Sequence, residues 1–62
     1  MIGEKYKNYT INVYWRDSDF GFRFRIYNAE NSLVYESSEA YFYDYNATKA
    51  AKEAIDDLEV SE

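Results

Sequence analysis

Apolar and polar residues alternate without interruption through Phe20-Gly21-Phe22-Arg23-Phe24-Arg25-Ile26-Tyr27. A period of two places Phe20, Phe22, Phe24 and Ile26 on one side of a β-strand and Gly21, Arg23, Arg25 and Tyr27 on the other. One side is an apolar wall and the other is cationic and aromatic. The pattern therefore predicts a central strand of an antiparallel sheet with one face covered and one face wet.

Upstream, residues 9–15 alternate in the same way, with Tyr9, Ile11, Val13 and Trp15 on the apolar side. With Arg16-Asp17-Ser18-Asp19 as the loop, the hairpin register that aligns the apolar sets puts Trp15 opposite Phe20, Val13 opposite Phe22, Ile11 opposite Phe24 and Tyr9 opposite Ile26. The same register sets Tyr14 across from Gly21, Asn12 from Arg23 and Thr10 from Arg25. Asn28-Ala29-Glu30-Asn31 has turn chemistry, and a third strand follows over 32–37. Pairing it back places Ile26 against Leu33, Phe24 against Tyr35 and Arg23 against Glu36. Residues 41–45 also alternate, but both of their sides carry aromatic rings, which leaves a fourth edge strand or an aromatic loop open.

From Asn46 the period changes. Ala47, Ala50, Ala51, Ala54, Ile55 and Leu58 recur at helical spacing, with Asn46 as the expected N-cap. Small alanines allow that helix to lie close to a sheet face crowded with rings. The expected fold is α+β, a three- to four-stranded antiparallel β-meander with one C-terminal helix packed on one face. Residues 1–8 are expected to be a flexible N-terminus, 9–59 a single domain and 60–62 a tail.

Composition sharpens this picture in two ways. At 62 residues the folded chain buries about 60% of the surface that its unfolded form exposes, and twelve Tyr and Phe residues with one Trp offset the small size by burying large areas at low entropic cost. Charge is split along the chain. Residues 1–27 hold five basic groups against three acids, whereas residues 28–62 hold two lysines against nine acids, for a net charge of −5. Such an imbalance bears on partners rather than on fold. No Cys is present, which fits a reducing compartment. No apolar run is long enough to span a bilayer, so the expectation is a cytoplasmic protein without a membrane partner.

Asn31-Ser32-Leu33-Val34-Tyr35-Glu36-Ser37-Ser38-Glu39-Ala40-Tyr41, followed by Lys49-Ala50-Ala51 and Ala54-Ile55, resembles the YegP-like family of small bacterial domains. The positions that match are Asn31, Val34, Ser38, Glu39, Tyr41 and Lys49. Ser32 stands where the family has glycine, and several additional residues separate Tyr41 from Lys49. The resemblance implies a meander with a helix, often in tandem copies, so that a lone copy would self-associate as a homodimer. It implies no activity.

The sequence contains no His and no Cys, and a chain of this size offers little room to desolvate a carboxylate enough to retune it, so no catalytic residue and no cofactor are expected. Asp17-Ser18-Asp19 lacks the further oxygen ligands of a calcium loop and is read as a polar turn rather than a metal site. Two binding surfaces remain. Glu36, Glu39, Asp44, Glu53, Asp56, Asp57 and Glu59, interleaved with Tyr43 and Tyr45, would present carboxylates to a protein with a basic, nucleic-acid-binding surface. In size and composition the chain resembles the small acidic inhibitors of phages and mobile elements, anti-CRISPR proteins among them. The alternative site is the open sheet face, where Tyr14, Arg23, Arg25 and Tyr27 would stack single-stranded bases and meet phosphates. The net negative charge opposes that second reading.

Overall fold

A computed structural model describes residues 3–60. Four antiparallel strands form one open sheet in sequence order, and a single helix crosses one of its faces. The strands are β1 (Gly3–Tyr6), β2 (Tyr9–Arg16), β3 (Gly21–Tyr27) and β4 (Leu33–Glu36), and the helix α1 runs over Asp44–Val60. The expected α+β meander with one C-terminal helix is the fold observed.

The core sits between α1 and the two central strands. Ile11, Phe24 and Ile26 from the sheet meet Ala47, Ala51 and Ile55 from the helix, all essentially removed from solvent. The alternation in β3 and the helical spacing of the alanines both produce the burial they predict. Ala50, Ala54, Tyr9 and Tyr41 pack around this cluster.

Several details of pairing differ from the expectation. β2 pairs with β3 so that Ile11 faces Ile26, Val13 faces Phe24 and Trp15 faces Phe22, a shift of two residues. An even shift keeps every side chain on its face, so the apolar side survives intact. The cause lies in the loop. Asp17–Asp19 forms a short 3₁₀ turn that is capped by Phe20 at φ 51°, in the left-handed region. Phe20 is thereby taken out of the strand and is 81% exposed instead of facing Trp15. On the open face the same shift sets Tyr14 against Arg23, Asn12 against Arg25 and Thr10 against Tyr27.

β4 is displaced by two residues as well, so Arg25 rather than Arg23 faces Glu36, and Ile26 faces Tyr35. A bulge at Ile26 and Tyr27 then brings Leu33 opposite Tyr27. The Asn28–Ser32 turn is closed by the Asn28 carboxamide oxygen, which accepts from the backbone N–H groups of Glu30 and Ser32 at 2.9 and 3.0 Å. Ser37 lies just beyond β4 and is buried. Its N–H donates to the Phe24 carbonyl at 2.9 Å, and its hydroxyl accepts from the Phe24 N–H at 3.2 Å.

The fourth strand is β1, not residues 41–45. Gly3–Tyr6 was expected to be flexible, but it pairs with β2 through the two-residue turn Lys7-Asn8, both at positive φ (50° and 70°) as the twist of a tight hairpin requires. Tyr41 makes only an isolated bridge to Phe22, with reciprocal backbone bonds of 2.7 Å. Asp44 and Tyr45 already belong to α1, so Asn46 lies inside the helix rather than capping it. Asp44 in the first turn complements the positive end of the helix dipole.

Gly21 lies opposite Arg16 rather than Tyr14. Its bare side faces the 37–43 segment, where an added Cβ would stand 2.9 Å from both the Ala40 Cβ and the Tyr41 carbonyl oxygen. Gly21→Ala must push that backbone away from β3, at a cost of about 1–3 kcal/mol in urea unfolding. A stability equal to that of the parent would contradict the close approach.

Candidate functional site

The sheet has an open face and a helix-covered face, and the open face carries the alternative expected site. On the open face Arg25 lies over the Tyr14 ring at 4.8 Å, and its Nε meets Glu36 Oε2 at 3.2 Å. The Tyr14 hydroxyl donates to the same carboxylate oxygen at 3.3 Å. Arg23 is bound on both sides, by Asp19 at 2.7 Å and by the Ser37 carbonyl at 3.0 Å. Tyr14, Arg23, Arg25 and Tyr27 therefore do share a face, but the arginines that would meet phosphates are engaged by carboxylates of the same chain. Glu36, expected among the partner-binding acids, belongs to this face. The Arg25 hydrogen bond holds its carboxyl below the usual range.

The remaining acids divide into two groups. Asp56 lies over the β1–β2 hairpin, where Lys7 Nζ approaches it at 2.8 Å and the Tyr6 hydroxyl donates to it at 3.1 Å. A carboxylate near a helix C-terminus is electrostatically unfavourable, and Lys7 compensates for it. The Lys7 hydrogen bond, followed by that of Tyr6, lowers the pKa of Asp56. Lys52 reaches across in the same way to Glu4 on β1 at 2.9 Å. These contacts tie α1 to the edge strand and are structural.

Glu36 and Asp56 both titrate below their ordinary values, so their contributions are present above the unfolded-state pKa and are lost as pH falls through the folded one. Thermal stability is expected to decline below about pH 4, with a shallower decline in Asp56→Asn, followed by circular dichroism. Identical pH profiles for parent and variant would exclude the Asp56 contribution.

Glu39, Asp44, Glu53 and Glu59 make up the second group. All four are exposed and enter no ion pair among the described residues. Asp57 is likewise exposed on α1. Glu39 and Glu53 both lie near Tyr41, whose hydroxyl is pushed up first by burial and then by the Glu39 charge. A set of exposed rings lies beside Asp44 at the start of α1. Tyr43 stacks on Tyr45 with centroids 5.2 Å apart and planes 13° from parallel, and Phe42 meets Tyr43 edge-on at 4.8 Å. Large exposed rings grouped among carboxylates have the composition of an interface anchor.

Phe20, Phe42 and Trp15 are exposed large rings as well, and the sequence pattern did not single them out as functional. Trp15 and Phe20 were assigned to the covered face. Both stand instead at the end of the sheet that α1 leaves bare, exposed by 50% and 81%. The helix starts at Asp44 and its first buried residue is the small Ala47, so it covers Phe24 and Ile26 but not the ends of β2 and β3. The two adjacent aromatics at 42 and 43, before a helix whose buried face is mostly alanine, were the available signal.

Among the described residues, no group of three Asp, Glu, His or Cys side chains could hold a metal ion, and no helix is long and apolar enough to cross a membrane. No family model matches the chain, and neither a curated protein nor a solved structure matches it significantly.

Proposed function

We propose that this chain is a non-catalytic, acidic protein-binding module whose partner presents a basic surface. One observation carries the reading. Lys7, Arg16, Arg23, Arg25 and Lys52 are each held in an ion pair within the chain, whereas Glu39, Asp44, Glu53 and Glu59 form none among the described residues, and Glu39 and Asp44 flank the exposed Phe42 and Tyr43 along the chain. The carboxylates steer a basic partner and the rings anchor it once docked. In the sharper form of the proposal, the acids stand in for phosphates in the groove of a nucleic-acid-binding protein, which the module inhibits. That role is in keeping with the size and charge shared with phage-encoded inhibitors such as anti-CRISPR proteins.

Single-stranded nucleic acid on the Tyr14, Arg23, Arg25 and Tyr27 face is the competing reading. It is disfavoured because a phosphate would have to displace Asp19 or Glu36 from the arginines. Titration of isotope-labelled protein with an arginine- and lysine-rich peptide, beside an oligothymidylate, separates the two. Amide shifts at Glu39, Tyr43, Asp44, Tyr45 and Glu53 with the peptide alone are the expected result. Shifts at Tyr14, Arg23, Arg25 and Tyr27 with the oligonucleotide, and none with the peptide, would replace this proposal by the other.

A further inference from the structure

Where α1 fails to cover the sheet, a groove of about 360 Å³ opens between the first turns of the helix and the ends of β2 and β3. It is lined by the apolar Ile11, Val13, Phe22 and Trp15 and by the acids Asp44 and Glu4. That volume is at the lower end of the range for ligand pockets. Trp15 is pre-positioned. Its Nε1 donates to the Asp17 carboxylate, and the indole meets Phe22 edge-on with centroids 5.1 Å apart. Glu4 is engaged by Lys52, but Asp44 has no ion pair among the described residues.

The chain itself shows what such a pairing of ring and carboxylate holds. Arg25 lies over Tyr14 beside Glu36, Lys52 over Tyr6 beside Glu4, and Lys7 over the same ring beside Asp56. Each cation has an aromatic face on one side and a carboxylate on the other. The groove is lined by the same two kinds of group, the Trp15 ring and the Asp44 carboxylate, together with apolar residues that suit an alkyl stem.

We infer that this groove receives one arginine side chain of the partner, its stem on Val13 and Phe22 and its guanidinium between the Trp15 ring and the Asp44 carboxylate. Trp is the strongest aromatic partner for a cation, and arginine is the cation most often found over aromatic rings. The inference rests on the acidic-module reading for the nature of the partner, and it adds the anchor residue and its seat.

Trp15 is the single tryptophan of the chain, so its indole N–H gives one isolated resonance. Titration with Nα-acetyl-arginine amide is expected to move that resonance saturably. The citrulline analogue, equal in shape and uncharged, should bind roughly tenfold more weakly. Asp44→Asn, at an exposed position, should weaken the arginine compound by roughly threefold. An unmoved indole, or citrulline equal to arginine, would overturn the inference. A basic peptide that shifts Glu39 and Glu53 but leaves the indole in place would remove the groove and keep the acidic module. An indole response without shifts at Glu39 or Glu53 would keep the groove and remove the module.

Discussion

Ile55→Ala is expected to lower the stability of the domain by about 2–5 kcal/mol. Ile55 is fully buried and is the largest side chain that α1 contributes to the core, where it meets Ile11, Phe24 and Ile26. Its helical neighbours at the interface are alanines, which have no further atoms to move into the space left behind. For a chain of this size, total stability of about 3–9 kcal/mol is typical, so the loss takes most of it. The melting temperature should fall by roughly 10–20 °C or more. Val60→Ala, at a position 82% exposed on the same helix, should change stability by less than about 0.5 kcal/mol. Equal effects at the two positions would mean that α1 is not held on the sheet by this face.

The second large effect concerns binding. Reversing the charge at Glu39, Asp44 and Glu53 together, each to lysine, should weaken a basic partner by roughly 100-fold or more, because juxtaposed like charges cost several kcal/mol. None of the three is in an ion pair among the described residues, so the circular dichroism spectrum should be retained. Asp56 has a different role. Reversing it would break the contacts to Lys7 and Tyr6 and report on the junction of α1 with β1. A triple variant that keeps the parent affinity would show that these carboxylates do not face the partner.

The fold was legible where burial dictates pattern. Phe22, Phe24 and Ile26 face the core at every second position, and Ala47, Ala51 and Ile55 recur at helical spacing, because one side of each element is dry. β1 was not legible. Gly3-Glu4-Lys5-Tyr6 is an edge strand held by its ladder to β2 and by Glu4 and Tyr6 reaching the helix, so it carries no apolar alternation. Its turn, Lys7-Asn8, has a single residue suited to positive φ. Register failed for a related reason. Alternation defines the face but not the pairing, and a two-residue slip is invisible to it. Only the 3₁₀ turn at Asp17–Asp19, which takes Phe20 out of the strand, settles the pairing.

For the candidate site, a count of charges identified the acidic half of the chain but not which acids are neutralised. Glu36 is satisfied by Arg25, two positions from the Arg23 that the expected pairing set against it, and Asp56 is satisfied from the β1–β2 turn across a separation in sequence that no local pattern reveals. Tyr43 and Tyr45, expected among the partner-binding residues, are exposed; their grouping with Phe42 and the exposure of Trp15 depend on where α1 begins, and that of Phe20 on the turn that takes it out of the strand. A helix boundary three residues earlier than its cap chemistry predicts is enough to change the composition of the surface.

The most direct test of the acidic-module reading is a paired affinity experiment. Parent protein and the Glu39→Lys, Asp44→Lys, Glu53→Lys variant are immobilised side by side and exposed to nuclease-treated lysate of the source cell at low and high salt. The account predicts one stoichiometric partner with a basic surface, retained on the parent, released by salt and absent from the variant. The same partner on both columns, or none on the parent, would contradict it.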